Sequence, residues 1–128
     1  MNILFLGGIF SEGDKGRISQ KSKGGVQYAA DTLQKNYITG FSQSGDVSAI
    51  SVINLPFIGA YPKRYQDLFY RPVEVRESLE RATVLNIGFF NLTIVKNLHK
   101  AILAVKSILK EMKAAPDQPQ VLVCYSMH

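Results

Sequence analysis

Residues 2–8 read NILFLGG, a short apolar run that ends in two glycines. The run does not alternate between apolar and polar positions, which is typical of a buried strand in a parallel sheet covered on both faces. Three further apolar runs, at 47–55, 83–90 and 120–126, predict the other strands of such a sheet. The sequence therefore predicts an α/β fold whose ligands bind beyond the carboxyl ends of the strands.

Two segments between these strands have helical periodicity. Apolar residues recur at helical spacing from Val26 to Tyr37, and Gly40 is a plausible helix stop. A longer apolar stripe runs from Val95 to Met112, with lysines mainly on the opposite side, and is predicted to be a surface helix. Residues 9–23 are predicted to be a loop, and residues 56–81 an irregular helical segment. The prediction is a Rossmann-like parallel sheet of about four strands flanked by helices.

Composition limits the class of protein. The 128 residues, 46% hydrophobic and 20% charged, suit one folded domain and exclude a disordered chain. No apolar run reaches the ~20 residues that a membrane-spanning helix needs, and no signal peptide is predicted. The single cysteine, Cys124, is predicted to be a buried apolar residue of a cytosolic protein. The net charge of +5 comes mainly from the lysine-rich helix.

The stretch SKGGVQYAADTL, residues 22–33, raises the question of a phosphate site. Glycines at a helix entrance let an anion approach unpaired backbone amides, and Lys21 and Lys23 would add positive charge. The alternative is a tight turn with solvated lysines. No P-loop and no dinucleotide-binding motif is present, and no metal-ligand cluster or glycosidase-type carboxylate pair is visible.

Four stretches together resemble the beginning of family-4 retaining glycosyltransferases of the GT-B fold, in particular bacterial enzymes of exopolysaccharide and related glycan synthesis. They are MNILFLGGIF (1–10), SKGGVQYAADTL (22–33), VLNIGFFNLTIVK (84–96) and VLVCYSMH (121–128). The resemblance implies that residues 1–128 are an incomplete acceptor-side domain. The C-terminal donor domain, with its paired-glutamate motif, is absent, so we expect the chain alone to be inactive.

The resemblance also implies roles for individual residues. Gly24 and Gly25, with Lys23, would lie at the donor diphosphate, and His128 would be the active-site histidine near the donor sugar. The implied reaction moves a hexose from a nucleotide-diphosphate sugar to a glycan or lipid-linked acceptor. The nucleotide sugar is a substrate, so no separate cofactor is predicted, and without a visible metal-ligand cluster no metal is predicted either.

Residues after the second and third predicted strands are candidates for the acceptor side. Tyr61, Lys63 and Arg64 could hold a sugar or its phosphate, and Asn91 ends the third predicted strand at the same edge. The alternative is that aromatic residues of this region only pack on the sheet. His99 is expected to be a boundary residue of the long helix.

Two questions about partners stay open in the sequence. The rival to a transferase is a non-enzymatic, flavodoxin-like domain that binds a phosphate ligand or a protein partner. The lysine stripe of the long helix lacks interleaved aromatic residues, which argues against binding of single-stranded nucleic acid. The stripe is either a solvated face or a peripheral contact with the inner face of a membrane. The sequence does not indicate an oligomeric state.

Overall fold

A computed structural model of the protein describes residues 1–92, 96–114 and 120–125. In chain order, its elements are β1 (Asn2–Gly7), α1 (Lys15–Lys21), α2 (Tyr28–Gln43), β2 (Ala49–Asn54), β3 (Phe69–Tyr70), β4 (Arg76–Leu79), β5 (Ala82–Asn86), β6 (Phe89–Phe90), α3 (Lys96–Ala114) and β7 (Gln120–Cys124). None of these helices is both long enough and apolar enough to cross a bilayer.

The main sheet has five strands in the order β4-β5-β2-β1-β7. Strands β5, β2, β1 and β7 are parallel, and β4 is antiparallel to β5. The predicted α/β fold with a mostly parallel sheet is therefore confirmed. Numbered along the chain, the parallel strands follow the order 3-2-1-4 of a Rossmann half, which differs from the 2-1-3 order of a flavodoxin-like sheet.

Apolar residues cover both faces of the sheet. This was predicted from the first strand, in which apolar and polar residues do not alternate. On β1, Leu4 belongs to one core and Phe5 to the other. The first core includes Ile18 of α1 and Ala104 of α3, and the second includes Ile38 of α2. Helices therefore contribute to the apolar layers on both sides of the parallel strands.

Several local predictions were wrong. Helix α1 lies within the segment predicted to be a loop, because Ile18 is fully buried in the first core. Helix α2 continues past Gly40, whose position in the helix is open to solvent. The segment predicted to be irregularly helical instead contains β3 and β4, and the third predicted strand stops at Asn86 before the short β6.

The long helix α3 exposes its apolar stripe. Five large apolar side chains are 48–65% exposed: Leu98, Ile102, Val105, Leu109 and Met112. The opposite side of the helix packs against the sheet, where Leu103, Ala104 and Ile108 join the first core. Lys96 and Lys100 also lie on that inner side, so the prediction that the lysines mainly mark the solvated face was wrong for these two.

Candidate functional site

The first three backbone amides after β1 are all paired with side chains. Three successive amide groups donate to buried side chains over 2.7–2.8 Å: Gly8 N to Gln34 Oε1, Ile9 N to Asn54 Oδ1 and Phe10 N to Asp31 Oδ1. Amides paired in this way cannot also bind a phosphate. The pairing also explains why α2 buries polar residues, while Leu33 and Tyr37, predicted for its apolar face, are exposed.

The glycine pair precedes the helix instead of opening it. Helix α2 begins at Tyr28, three residues after Gly25, so the predicted helix entrance at the glycines was wrong. Gly24 has a φ of 111°, a conformation that favours glycine, which supports the tight-turn alternative for this residue. A side chain at Gly24 or Gly25 would meet nothing within 4 Å, so the backbone here is open to a ligand.

Backbone contacts join the glycine loop to the predicted acceptor-side loop. The Lys23 amide donates to the Arg64 carbonyl over 2.8 Å, and the Lys23 amine donates to the Pro62 carbonyl over 3.0 Å. Ser22 forms an isolated antiparallel bridge with Tyr65. The structure therefore brings together two predicted groups of residues that are about forty positions apart in the sequence.

A cavity of about 700 Å³ lies where these loops meet the sheet. Its wall includes Leu6 and Gly7 at the end of β1, and Cys124 and Tyr125 at the end of β7. From β1 the chain continues to β2 on one side, whereas β7 was added on the other side of β1, so the strand order reverses between β1 and β7. Open α/β sheets bind ligands at such a switch point. The volume lies within the range of small-molecule sites. Cys124 is exposed, so the prediction of a buried cysteine was wrong.

The cavity wall is positively charged. None of the described residues that line it is acidic. Four of them are basic: Lys63, Arg64, Lys96 and Lys100. Gly25 lines the same cavity, whereas Gly24 and Lys23 are not among the lining residues. An uncompensated group of cations is unfavourable without an anion to neutralise it.

Two of the five lysines of α3, Lys96 and Lys100, are held on the inner side of the helix. The Lys96 amine donates to the Ile58 carbonyl, and the Lys100 amine donates to the Pro56 carbonyl over 2.9 Å. Burial lowers the pKa of Lys96, and the charge of Arg64 lowers it further. Burial, and then the charge of Lys96, lowers the pKa of Lys100 to about 7. These shifts place Arg64, Lys96 and Lys100 within one electrostatic group.

Asn91 and Tyr61, both predicted to bind substrate, lie outside the cavity lining. Asn91 is fully buried, and its predicted contact with a substrate stays a prediction. Its side-chain NH2 group donates to the Gly59 carbonyl over 2.8 Å, and its backbone carbonyl accepts from the Tyr61 backbone amide over 2.7 Å. The two residues hold the loop that leads to Lys63 and Arg64.

His128, the predicted catalytic residue, lies outside the described residues. His99 is half-buried, as expected for a residue between the buried and exposed sides of α3, and its Nδ1 accepts a hydrogen bond from the Phe90 backbone amide over 3.0 Å. Sequence reasoning missed Lys96 and Lys100 as site residues. Their spacing of four at the start of a helix that follows a strand end was the available signal.

The described residues contain no group of three or more histidine, cysteine or acidic side chains placed to hold a metal ion. The chemistry of the cavity is that of positive charge beside an apolar wall. Comparison with known proteins finds no family model, no curated protein and no solved structure that matches this chain.

Proposed function

We propose that this chain is the acceptor-side half of a glycosyltransferase and that its basic cavity binds a diphosphate-bearing substrate. The observation that carries the proposal is the set of four basic residues, with no acidic residue among the described lining, at the switch point of the sheet. The proposed reaction comes from the sequence resemblance. It is the transfer of a hexose from a nucleotide-diphosphate sugar to a glycan or lipid-linked acceptor.

The arrangement of the cations suits a phosphate chain. Arg64 offers a planar guanidinium that can pair with two phosphate oxygens, and Lys63 offers a compact charge beside it. Gly25 lets an oxygen approach the backbone closely, because no side chain fills the space next to it. Apolar residues such as Leu55 and Ala101 form other parts of the wall, where a sugar or base can pack.

Titration calorimetry with uridine diphosphate tests the binding step, with uridine as the ligand that lacks phosphate. Arg64→Ala should raise the Kd for the diphosphate about tenfold, as the loss of one charge-assisted contact predicts. The matched control is Lys110→Ala, which removes one charge from the exposed side of α3. Equal binding of uridine and uridine diphosphate, or an unchanged Kd in Arg64→Ala, would contradict the proposal.

The reading frame that follows residue 128 tests the transferase step. A second Rossmann-like half with a paired-glutamate motif would support a two-domain enzyme, and its activity could then be screened with nucleotide sugars. If that half is missing and diphosphate still binds, the second candidate is favoured, a non-enzymatic domain that binds a phosphate ligand. The open basic cavity is common to both candidates.

We also propose that the protein works in the cytoplasm at the inner face of the membrane, through the outer side of α3. Exposed Lys106, Lys110 and Lys113 flank the apolar stripe of this helix, the pattern of helices that lie on anionic lipid. Because α3 also contributes Lys96 and Lys100 to the cavity, contact along its outer side would bring a lipid-linked acceptor close to the site.

Sedimentation with vesicles tests this contact. Binding should be strong to phosphatidylglycerol vesicles, weak to phosphatidylcholine vesicles, and reduced by salt. Val105→Ser removes an exposed apolar group of the stripe and should weaken binding, whereas Val73→Ser removes an exposed valine elsewhere and should not. Equal binding to both lipids, or none, would contradict the membrane contact and favour a protein partner for the stripe.

A further inference from the structure

Lys100 is a basic residue of the cavity whose amine could act as a nucleophile, a role that the proposed phosphate binding does not use. It lines the cavity together with Lys63, Arg64 and Lys96. Its amine lies 4.3 Å from the ring centroid of Phe89 and 5.7 Å from that of Phe57. The hydrogen bond to the Pro56 carbonyl fixes the position of the amine, so the side chain is both held and adjacent to open volume.

The surroundings of Lys100 favour the neutral amine. The pKa of about 7 follows from burial and from the charge of Lys96, so the amine is uncharged in a substantial fraction of the molecules at pH 7. An ordinary exposed lysine, with a pKa near 10.4, is uncharged in fewer than about one molecule in a thousand at that pH. Desolvation beside a second cation is a recognised way to activate a lysine toward carbonyl groups.

We propose that Lys100 forms an imine with an aldehyde that carries a phosphate group. The neutral amine adds to the aldehyde carbon to give a carbinolamine, and loss of one water molecule leaves a carbon–nitrogen double bond to Nζ. No electron transfer and no co-reactant is needed. Lys63 and Arg64 hold the phosphate, and the rings of Phe57 and Phe89 exclude water from one side of the reacting amine.

This inference rests on the proposed phosphate site, since the same cations select the ligand. The aldehyde class includes open-chain sugar phosphates and aromatic phosphorylated aldehydes. A ligand without phosphate would meet the same amine but would lack the contacts with Lys63 and Arg64. The phosphate therefore should set the apparent affinity, while Lys100 should set the site of covalent attachment.

Pyridoxal 5′-phosphate is a suitable probe, with borohydride reduction of the imine and mass spectrometry of the digested protein. The expected result is one main adduct, on Lys100, which is lost in Lys100→Arg and kept in the control Lys106→Arg. Pyridoxal without phosphate should label Lys100 about tenfold less at equal concentration, and inorganic pyrophosphate should compete with the phosphorylated probe. Because mapping is done first on the unaltered protein, the test does not depend on folding of a variant.

Two outcomes would overturn the inference. One is labelling spread over exposed lysines such as Lys106, Lys110 and Lys113, and the other is unchanged total labelling in Lys100→Arg. If uridine diphosphate binds but Lys100 is not labelled, the imine fails while the proposed function stands. If pyridoxal and its phosphate label Lys100 equally and uridine diphosphate does not bind, the phosphate site fails instead.

Discussion

The amine of Lys100 lies 4.3 Å from the centre of the Phe89 ring, on the inner side of a helix whose opposite side is apolar and exposed. The ring belongs to β6 and is fully buried. A basic side chain is thus packed against the first core, while residues such as Leu98 face solvent. Such a reversal costs stability, and the position of Lys100 in the cavity offers a functional reason for it.

The burial of Lys100 predicts that stability depends on pH. The folded pKa of about 7 lies below the ordinary value of 10.5, so between these values the unfolded chain binds more protons. The contribution of Lys100 to the free energy of unfolding therefore rises with pH, by about 2 kcal/mol from pH 7 to pH 9. Well below pH 7 both states are protonated, and the cost of burying the charge is fully present.

Lys100→Met should remove this dependence, because methionine has a similar length and no charge. Urea unfolding at pH 7 and pH 9 measures the effect as a difference between the variant and the wild type, which cancels the other titrating groups. Lys106→Met is the control, since Lys106 is exposed. A variant Lys100→Met with the same pH dependence as the wild type would show that the amine is not desolvated.

Replacing Gly8 by a residue with a side chain is predicted to destabilise the fold for steric reasons. A Cβ atom at Gly8 would lie 2.7 Å from the Leu55 backbone oxygen and 2.4 Å from the Phe57 ring. Because a backbone oxygen cannot rotate away, Gly8→Ala should lower the free energy of unfolding by about 1–3 kcal/mol. Gly16, inside α1, has nothing within 4 Å, so Gly16→Ala should instead stabilise the protein by about 0.5–1 kcal/mol. Equal effects of the two changes in urea unfolding would contradict this account.

The sequence predicted the parts of the fold that depend on local pattern. The runs around β1 and β2 are apolar, and the second is also rich in β-branched residues, so their strands could be recognised without knowledge of their neighbours. The strand order could not, because it depends on pairing between distant segments. The short helix α1 was missed because Gly16 and Ser19 suggest a loop, and only tertiary packing of Ile18 offsets that preference.

The candidate site was predictable in part. Lys63, Arg64 and Gly25 follow from strand ends and glycine placement, and the structure puts all three on one cavity wall. Lys100 was missed because an apolar stripe ordinarily marks the buried side of a helix, and α3 is oriented the other way. The buried face of α2 was missed for a related reason, since Asp31 and Gln34 are buried to pair with backbone amides.

Asn54 is predicted to be a main support of the ligand edge. It is fully buried, accepts from the Ile9 amide over 2.7 Å, and donates to the Ile9 carbonyl and to Asn86 over 2.9 and 2.8 Å. Asn54→Ala leaves these buried groups without partners and should lower the free energy of unfolding by about 2–4 kcal/mol. Asn36→Ala, an exposed change on α2, should stay within about 0.5 kcal/mol. A small effect of Asn54→Ala in urea unfolding would show that water replaces its contacts.

The two adjacent glycines of the loop before α2 should separate stability from binding. Gly24 has a φ of 111°, which side chains rarely adopt, and it is not a lining residue of the cavity. Gly24→Ala should therefore cost about 1 kcal/mol of folding free energy and leave the Kd for uridine diphosphate unchanged. Gly25 lines the cavity without a positive φ, and a side chain there would meet open space.

Gly25→Leu should consequently fold with a stability within about 0.5 kcal/mol of the wild type, because its Cβ atom would have no protein atom within 4 Å and the rest of the side chain would extend toward the cavity. The same side chain fills part of the space beside Arg64 and keeps a phosphate away from the backbone. The Kd for uridine diphosphate should rise about tenfold, which calorimetry measures next to urea unfolding of the same sample. If Gly25→Leu bound the diphosphate as the wild type does, the ligand would not approach this loop. Its role would then be limited to the turn at Gly24.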